Sequence, residues 1–403
     1  MRTILLSILL LWLVPLALAA PAGDGTLIDS MDQPDFSVPK EKAHIALVPG
    51  KIGNALKFSF DNDCQSVFIQ GRVPGSPAWD RAAGFSFWVK GDGSDHLGGI
   101  EFIWNGDYGI RYGYAFPINN TDWKKIVVPW RDLIPEVGAM TQSVDPKSGN
   151  APSKFGPIAF GKWWYWKDYA AHSYTVDDIR LEPGIKTDSR TSRPAGPPLA
   201  RVRAKLKAGK PLTVVTMGDS LTDFAHWSNH DHNWPSLLAA QIKQKYGSEV
   251  TLVNPAMGGT DLRQNLVVLP RWTTTTPAPD LVTIFFGFND LTEGMTPDAF
   301  RAAQQDAVDR VRRATGGRAD VLILTPFPPV NAAQAAALGG FAAACQAAAQ
   351  ARNAGLCDIY RAVQAAPEAD KAGLHAWDGV HLGLPGQQLV AQSVLNALEG
   401  ARE

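Results

Sequence analysis

One stretch constrains the fold more than any other: the apolar, β-branched run over residues 212–217 breaks into Gly218-Asp219-Ser220. A short run of this kind, without polar alternation, suits a strand buried on both faces, as in a parallel sheet sandwiched between helices. Gly218 lets the chain turn tightly where the strand ends. Ser220 is therefore expected at the carboxyl edge of the sheet, where open α/β sheets bind their ligands. The first amides beyond such a strand are donors available to a developing oxyanion. Taken alone, Gly-Asp-Ser is equally a turn leading into a helix cap, so the rest of the chain has to decide.

Beyond Ser220 the pattern alternates. Helices are expected over 234–246, 261–269, 296–313 and 331–353, strands over 250–254, 281–286, 321–325 and 356–360, and a closing amphipathic helix carries Leu389, Val390, Val394 and Leu398. Repeated βα units specify a parallel sheet with helices on both faces, a three-layer α/β/α domain. Three further blocks follow the first: Asn254-Pro-Ala-Met-Gly258-Gly259-Thr260, Gly287-Phe-Asn289-Asp290 and Asp378-Gly-Val-His381. Four blocks in this order resemble the SGNH, or GDSL-type, hydrolases over residues 199–403. That resemblance implies a serine esterase with Ser220 as nucleophile and with Asp378 and His381 as the other triad members. It also implies an oxyanion hole formed by Ser220, Gly259 and Asn289. The second block reads Gly-Gly-Thr-Asp where many relatives have Gly-Asp-Thr, and the choice of Gly259 over Gly258 rests on spacing from Asn254.

The residue types suit that chemistry. A serine hydroxyl needs a base within hydrogen-bond reach, and an imidazole can serve near neutral pH. A three-residue spacing lets the Asp378 carboxylate meet one ring nitrogen of His381 while the other faces the serine. Asn289 offers a neutral NH₂ donor, and Gly259 has no side chain to block an approaching ester. Asp219 and Asp290 are expected to hold their loops through backbone hydrogen bonds. No cofactor is required. His226, His230, His232 and Asp231 match no established metal-ligand spacing, so no metal is expected, and with Phe224, Trp227 and Trp272 that loop is read as a rim of the site.

Residues 24–185 read differently. Short alternating apolar and polar runs, separated by Gly, Pro, Asn and Asp, form an all-β pattern in which two packed sheets bury the apolar faces. Eight of the thirteen tryptophans fall here, and Trp163-Trp164-Tyr165-Trp166 cannot be wholly buried if neighbours alternate faces as on a strand. Aromatic rings with polar edges suit sugars. Residues 84–94, 122–130 and 176–181 resemble those of jelly-roll carbohydrate-binding modules. On that reading Trp163, Trp164 and Trp166 are candidate substrate contacts; the bland alternative places them in a core or a domain interface. Residues 186–198 are rich in proline and lack apolar periodicity, as a linker does.

The 403-residue length calls for two domains. Arg2 followed by an apolar run over residues 4–20 and the small residues Ala17-Leu18-Ala19 reads as a signal peptide over 1–20, too short for a permanent span. A secreted or periplasmic protein without stable membrane insertion is expected. Thirty-eight basic and 39 acidic residues leave a net charge of -1, which gives no footprint for nucleic acid. Of the three cysteines only Cys345 and Cys357 could bridge within one domain, the alternative being two buried thiols. Three functions remain open on these observations: an esterase removing acyl groups, acetyl foremost, from a polysaccharide; a lipid or aryl esterase; and a glycan-binding protein without activity.

Overall fold

The structure is a computed structural model that describes residues 25–37, 42–71, 75–136, 144, 150–186, 194–371 and 373–400. The signal peptide read over 1–20 and most of the linker read over 186–198 lie outside the described residues.

The parallel sheet has five strands. Leu212–Gly218 lies between Val250–Val253 and Leu281–Phe285, and Asp320–Leu324 and Gly355–Cys357 complete the far side. In order of appearance this is 2-1-3-4-5, so the topology switches between the first and third strands, the place where doubly wound sheets open a crevice at their carboxyl ends. Val215 pairs with Val253 on one side and Val282 on the other, in register with the next strand's Val321. Leu212–Gly218, Leu281–Phe285 and Asp320–Leu324 are buried almost throughout, which accounts for their unbroken apolar runs in the sequence, whereas the edge strand Val250–Val253 is half-buried.

Local chemistry starts and stops the helices. Thr296 Oγ1 accepts from Ala299 N at 3.3 Å and Pro297 takes the first helical position of Pro297–Ala314. Asn331 caps Ala332–Arg352, and Asn353 in the left-handed region ends it. Trp234–Tyr246 packs with Leu384–Glu399 on one face of the sheet, and Pro297–Ala314 with Ala332–Arg352 on the other. Cys345 and Cys357 are buried thiols, the former donating to Leu324 O.

Residues 25–182 form two six-stranded antiparallel sheets. One runs Ala43–Pro49, Asn54–Phe60, His172–Glu182, Gly84–Gly91 and Lys124–Pro129, with Leu27–Asp29 also pairing with His172–Glu182. The other runs Ile134–Pro135, Asp107–Pro117, Leu97–Trp104, Phe155–Gly161, Val67–Gln70 and Phe36–Ser37. Their facing aromatics form the core: Phe58 stacks on Phe160 at 4.9 Å, and Phe85 meets Phe102 edge-on at 4.8 Å.

The two parts share a core. Leu97, Ala115 and Ile134 of the second sheet and Trp163, Tyr165 and Trp166 just beyond it belong to the same apolar cluster as Met257, Leu262, Leu266, Val267, Val268 and Trp272. Trp163, Trp166 and Trp272, candidates for substrate contact on sequence grounds, are therefore interior: they are 4%, 2% and 3% exposed. The reason is local geometry. Trp164–Trp166 is a 3₁₀ turn and not a strand, so residues three apart share a side, and Trp163 and Trp166 stand 5.4 Å apart facing inward. Trp164 alone of the three is left at the surface, 46% exposed, with Lys167 Nζ 5.1 Å from its ring.

Candidate active site

Ser220 follows the first strand, held by the turn that the sequence called for. Asp219 Oδ1 accepts from Leu221 N at 2.9 Å, and Asp219 O accepts from Thr222 N and Asp223 N. Those bonds leave the Ser220 amide without an intramolecular partner among the described residues. The loop beyond is fixed from both sides of the sheet. Asn229 Nδ2 donates to Ser220 O (2.7 Å) and Asp223 O (2.8 Å), while Gln387 Nε2 donates to Asn229 Oδ1 at 2.8 Å. Asn254 Nδ2 donates to Thr216 Oγ1 and Thr222 O.

Ser220 Oγ lies 2.9 Å from His381 Nε2, and His381 Nδ1 lies 2.5 Å from Asp378 Oδ2. The other carboxylate oxygen, Asp378 Oδ1, accepts from the Val380 and His381 amides, both at 3.0 Å. A tight loop makes this possible. Ala376 N donates to His381 O at 2.7 Å, and Gly379 sits at φ 72°, where a side chain would be strained and would press on Val330. Partial burial pushes the Asp378 carboxyl upward, but its hydrogen bonds from His381 and Val380 outweigh that and hold it below the usual carboxylate range. It stays an anion beside the ring.

The Gly258-Gly259 loop comes up against Ser220. A Cβ on Gly258 would stand 3.7 Å from the Ser220 Cβ, which brings this loop against the hydroxyl. Gly258 N is taken by Asp223 Oδ2 at 2.8 Å, whereas Gly259 N, at φ 79°, has no partner among the described residues. One Asn289 Nδ2 hydrogen goes to Thr260 O at 2.8 Å, which fixes the amide and leaves its second hydrogen without a partner among the described residues. Asp290 Oδ1 receives Leu262 N at 3.1 Å. Burial, with smaller effects from neighbouring carboxylates, raises both Asp219 and Asp290 to about 7.

Three features go beyond the sequence, in which the loop of His226 and Trp227 reads only as a rim of the site. His226, set aside as part of an unconvincing metal cluster, stacks on His381 at 4.3 Å, and its own protonation is disfavoured first by burial and then by that neighbour. Trp377, 87% exposed, stacks on Trp227 at 5.6 Å, and Trp227 meets His381 edge-on at 5.5 Å. Two aromatic rings thus rim the histidine. Adjacent to Asp378, a cavity of about 640 Å³ opens between residues 329–334 and the Trp377–Val380 loop. Phe224 is half-buried, its amide donating to Asn254 Oδ1. His230 bonds Ala225 O, and His230, Asp231 and His232 are solvent-facing.

A serine, a histidine and a carboxylate hydrogen-bonded in series at the carboxyl edge of a parallel sheet, with the Gly258-Gly259 loop against the serine, fit an SGNH-type hydrolase. Residues 216–389 match the GDSL-like Lipase/Acylhydrolase family model, and this part of the chain is a GDSL-like lipase/acylhydrolase domain. Among solved structures, the chain is similar to the lipase/acylhydrolase from Enterococcus faecalis, with 23% identity, 47% of this chain and 96% of that one covered, and a TM-score of 0.41. It is similar also to the acetylxylan esterase Axe2 from Geobacillus stearothermophilus, with 17% identity, 49% and 97% covered, and a TM-score of 0.40. No curated protein sequence matches the chain.

Proposed function

We propose that this hydrolase is an exported serine esterase that removes short acyl groups, acetyl foremost, from a polysaccharide by way of an acyl-enzyme on Ser220. The observation that carries the reading is the unbroken series Asp378, His381, Ser220 at 2.5 and 2.9 Å. Ser220 Oγ attacks the ester carbonyl as its proton passes to His381 Nε2, and Asp378 stabilises the imidazolium while fixing the proton on Nδ1. The charge that develops on the carbonyl oxygen is met by the amides of Ser220 and Gly259 and by Asn289 Nδ2, donors already oriented and so needing no reorganisation. His381 then protonates the departing sugar oxygen as its bond to the acyl carbon breaks. Water, deprotonated by the same nitrogen, attacks the acyl-enzyme and releases the carboxylate.

Two observations support a sugar-bearing substrate. Trp227 and Trp377 rim the histidine with exposed rings that suit the C–H face of a pyranose. The two antiparallel sheets, read as a jelly-roll carbohydrate-binding module, pack directly against the domain that holds Ser220. Export follows from the apolar run over residues 4–20 and is checked by sequencing the amino terminus of protein recovered outside the cytoplasm. The functional test is acetate release from a panel of acetylated polysaccharides, with 4-nitrophenyl esters of increasing chain length alongside. A preference for long acyl chains points to a lipid esterase, and no release from any ester points to a glycan-binding protein without activity.

A further inference from the structure

A second cavity, of about 310 Å³, lies where the antiparallel sheets meet the hydrolase domain, lined by His96, Trp166, Asp168, Tyr169, Val268 and Arg271. We propose that this cavity is a subsite for a neutral, hydroxyl-rich sugar ring of the same chain that presents its ester to Ser220. The inference rests on the esterase reading above and deepens it by naming the substrate class and the residues that select it.

Arg271 lies within electrostatic reach of both Asp168 and Asp223. Asp223 accepts from Gly258 N in the loop that touches Ser220. One guanidinium therefore links the cavity to the wall of the candidate active site, and its volume falls at the small end of ligand sites, which fits one ring or two.

Arg271 Nη1 donates to Trp166 O at 3.3 Å, a bond that joins the two domains, and its other N–H groups have no partner among the described residues. Asp168 Oδ2 is held by His96 Nδ1 at 2.8 Å, while Oδ1 has only Lys162 Nζ at 3.8 Å. A fixed acceptor and a fixed donor across a small cavity match vicinal hydroxyls, each of which both gives and takes a hydrogen bond. Tyr169, 49% exposed, supplies a ring at the mouth.

Charge decides the class of sugar. Asp95 and Asp168 face Lys167 and Arg271 around the cavity, so its formal charges cancel and an anionic polymer gains nothing from entering. His96, Asp168 and His172 approach one another as metal ligands might. The buried Lys162 ammonium, however, lies 3.5 Å from His172 Nδ1 as well as 3.8 Å from Asp168, and already supplies the positive charge a cation would bring.

The test uses the full-length protein and Arg271→Gln. The kcat/KM for partially acetylated xylo-oligosaccharides, divided by that for 4-nitrophenyl acetate, is expected to fall about tenfold in Arg271→Gln, the loss of one charge-assisted hydrogen bond. Xylotriose binding to Ser220→Ala, measured by calorimetry, is expected to weaken by a similar factor when Arg271→Gln is added. An unchanged ratio overturns the subsite, and so does an equal fall on both esters, which would mean that Arg271 acts on the Ser220 loop through Asp223. Acetylated oligogalacturonides that outperform the neutral oligomers and depend on Arg271 overturn the neutral class. Failure of the unmodified protein on 4-nitrophenyl acetate refutes the esterase reading instead, so the two failures are distinguishable.

Discussion

Replacing Trp166 with alanine tests whether its ring holds the two parts of the chain together. Its indole is 2% exposed, stands 5.4 Å from Trp163, and presses on Gly99, where an added Cβ would come within 2.6 Å of the Trp166 ring. Gly99 lies on Leu97–Trp104, a strand paired on both edges, so the backbone there has little freedom to collapse into the space left behind. The loss should fall in the range for large aromatic truncations, about 3–5 kcal/mol. At roughly 2–4 °C per kcal/mol for domains of this size, the melting temperature should drop by roughly 6–20 °C. Differential scanning calorimetry of Trp166→Ala reads this, with Trp164→Ala as the control: that ring is largely solvent-facing, and its removal should move stability by no more than about 0.5 kcal/mol. A Trp166→Ala protein that melts with the unmodified chain but no longer binds polysaccharide would refute the placement of this ring in the shared core.

Other expectations follow from the site. Asn289→Ala should lower kcat by roughly 10²–10³ with little change in KM, as when one oxyanion donor is removed, and an effect on KM alone would make Asn289 a substrate contact. Trp377→Ala should raise KM for an acetylated oligosaccharide about 2–10-fold through lost ring contact, whereas a change in kcat alone would mean that the ring acts through His381. Asp219, raised to about 7 chiefly by burial, keeps its proton in the folded state at pH values where the unfolded chain, at about 4, has released it. The folded state binds the extra proton, so this residue's contribution is full below about pH 4 and is lost as pH rises toward 7. Thermal melts at pH 4 and 8 should therefore show a smaller decline for Asp219→Asn than for the unmodified protein; equal declines would contradict it.

The parallel sheet was legible because its strands are buried on both faces and leave continuous apolar runs, and because Thr296-Pro297 and Asn331 mark helix starts chemically. Ser220, Asn289, Asp378 and His381 were legible because each sits in a short local block. The stacking of two rings at the rim was not. Trp377 precedes Asp378 in a loop without periodicity, and its partner Trp227 lies 150 positions earlier, so only the fold brings the rings together. Trp163 and Trp166 misled for a related reason. Alternation on a strand would expose one neighbour of each pair, but a 3₁₀ turn puts both rings on one side, and the surface they cover belongs to the other domain. Arg271 carries no motif and acquires significance only from the cavity it shares with Asp168.

The central claim is that Ser220 carries the acyl group. Rapid quenching after mixing with 4-nitrophenyl acetate, followed by peptide mapping by mass spectrometry, should find an acetyl adduct on the peptide bearing Ser220, and Ser220→Ala should lose both adduct and turnover while melting normally. An acetyl group on a different residue, together with turnover retained in Ser220→Ala, would contradict the account.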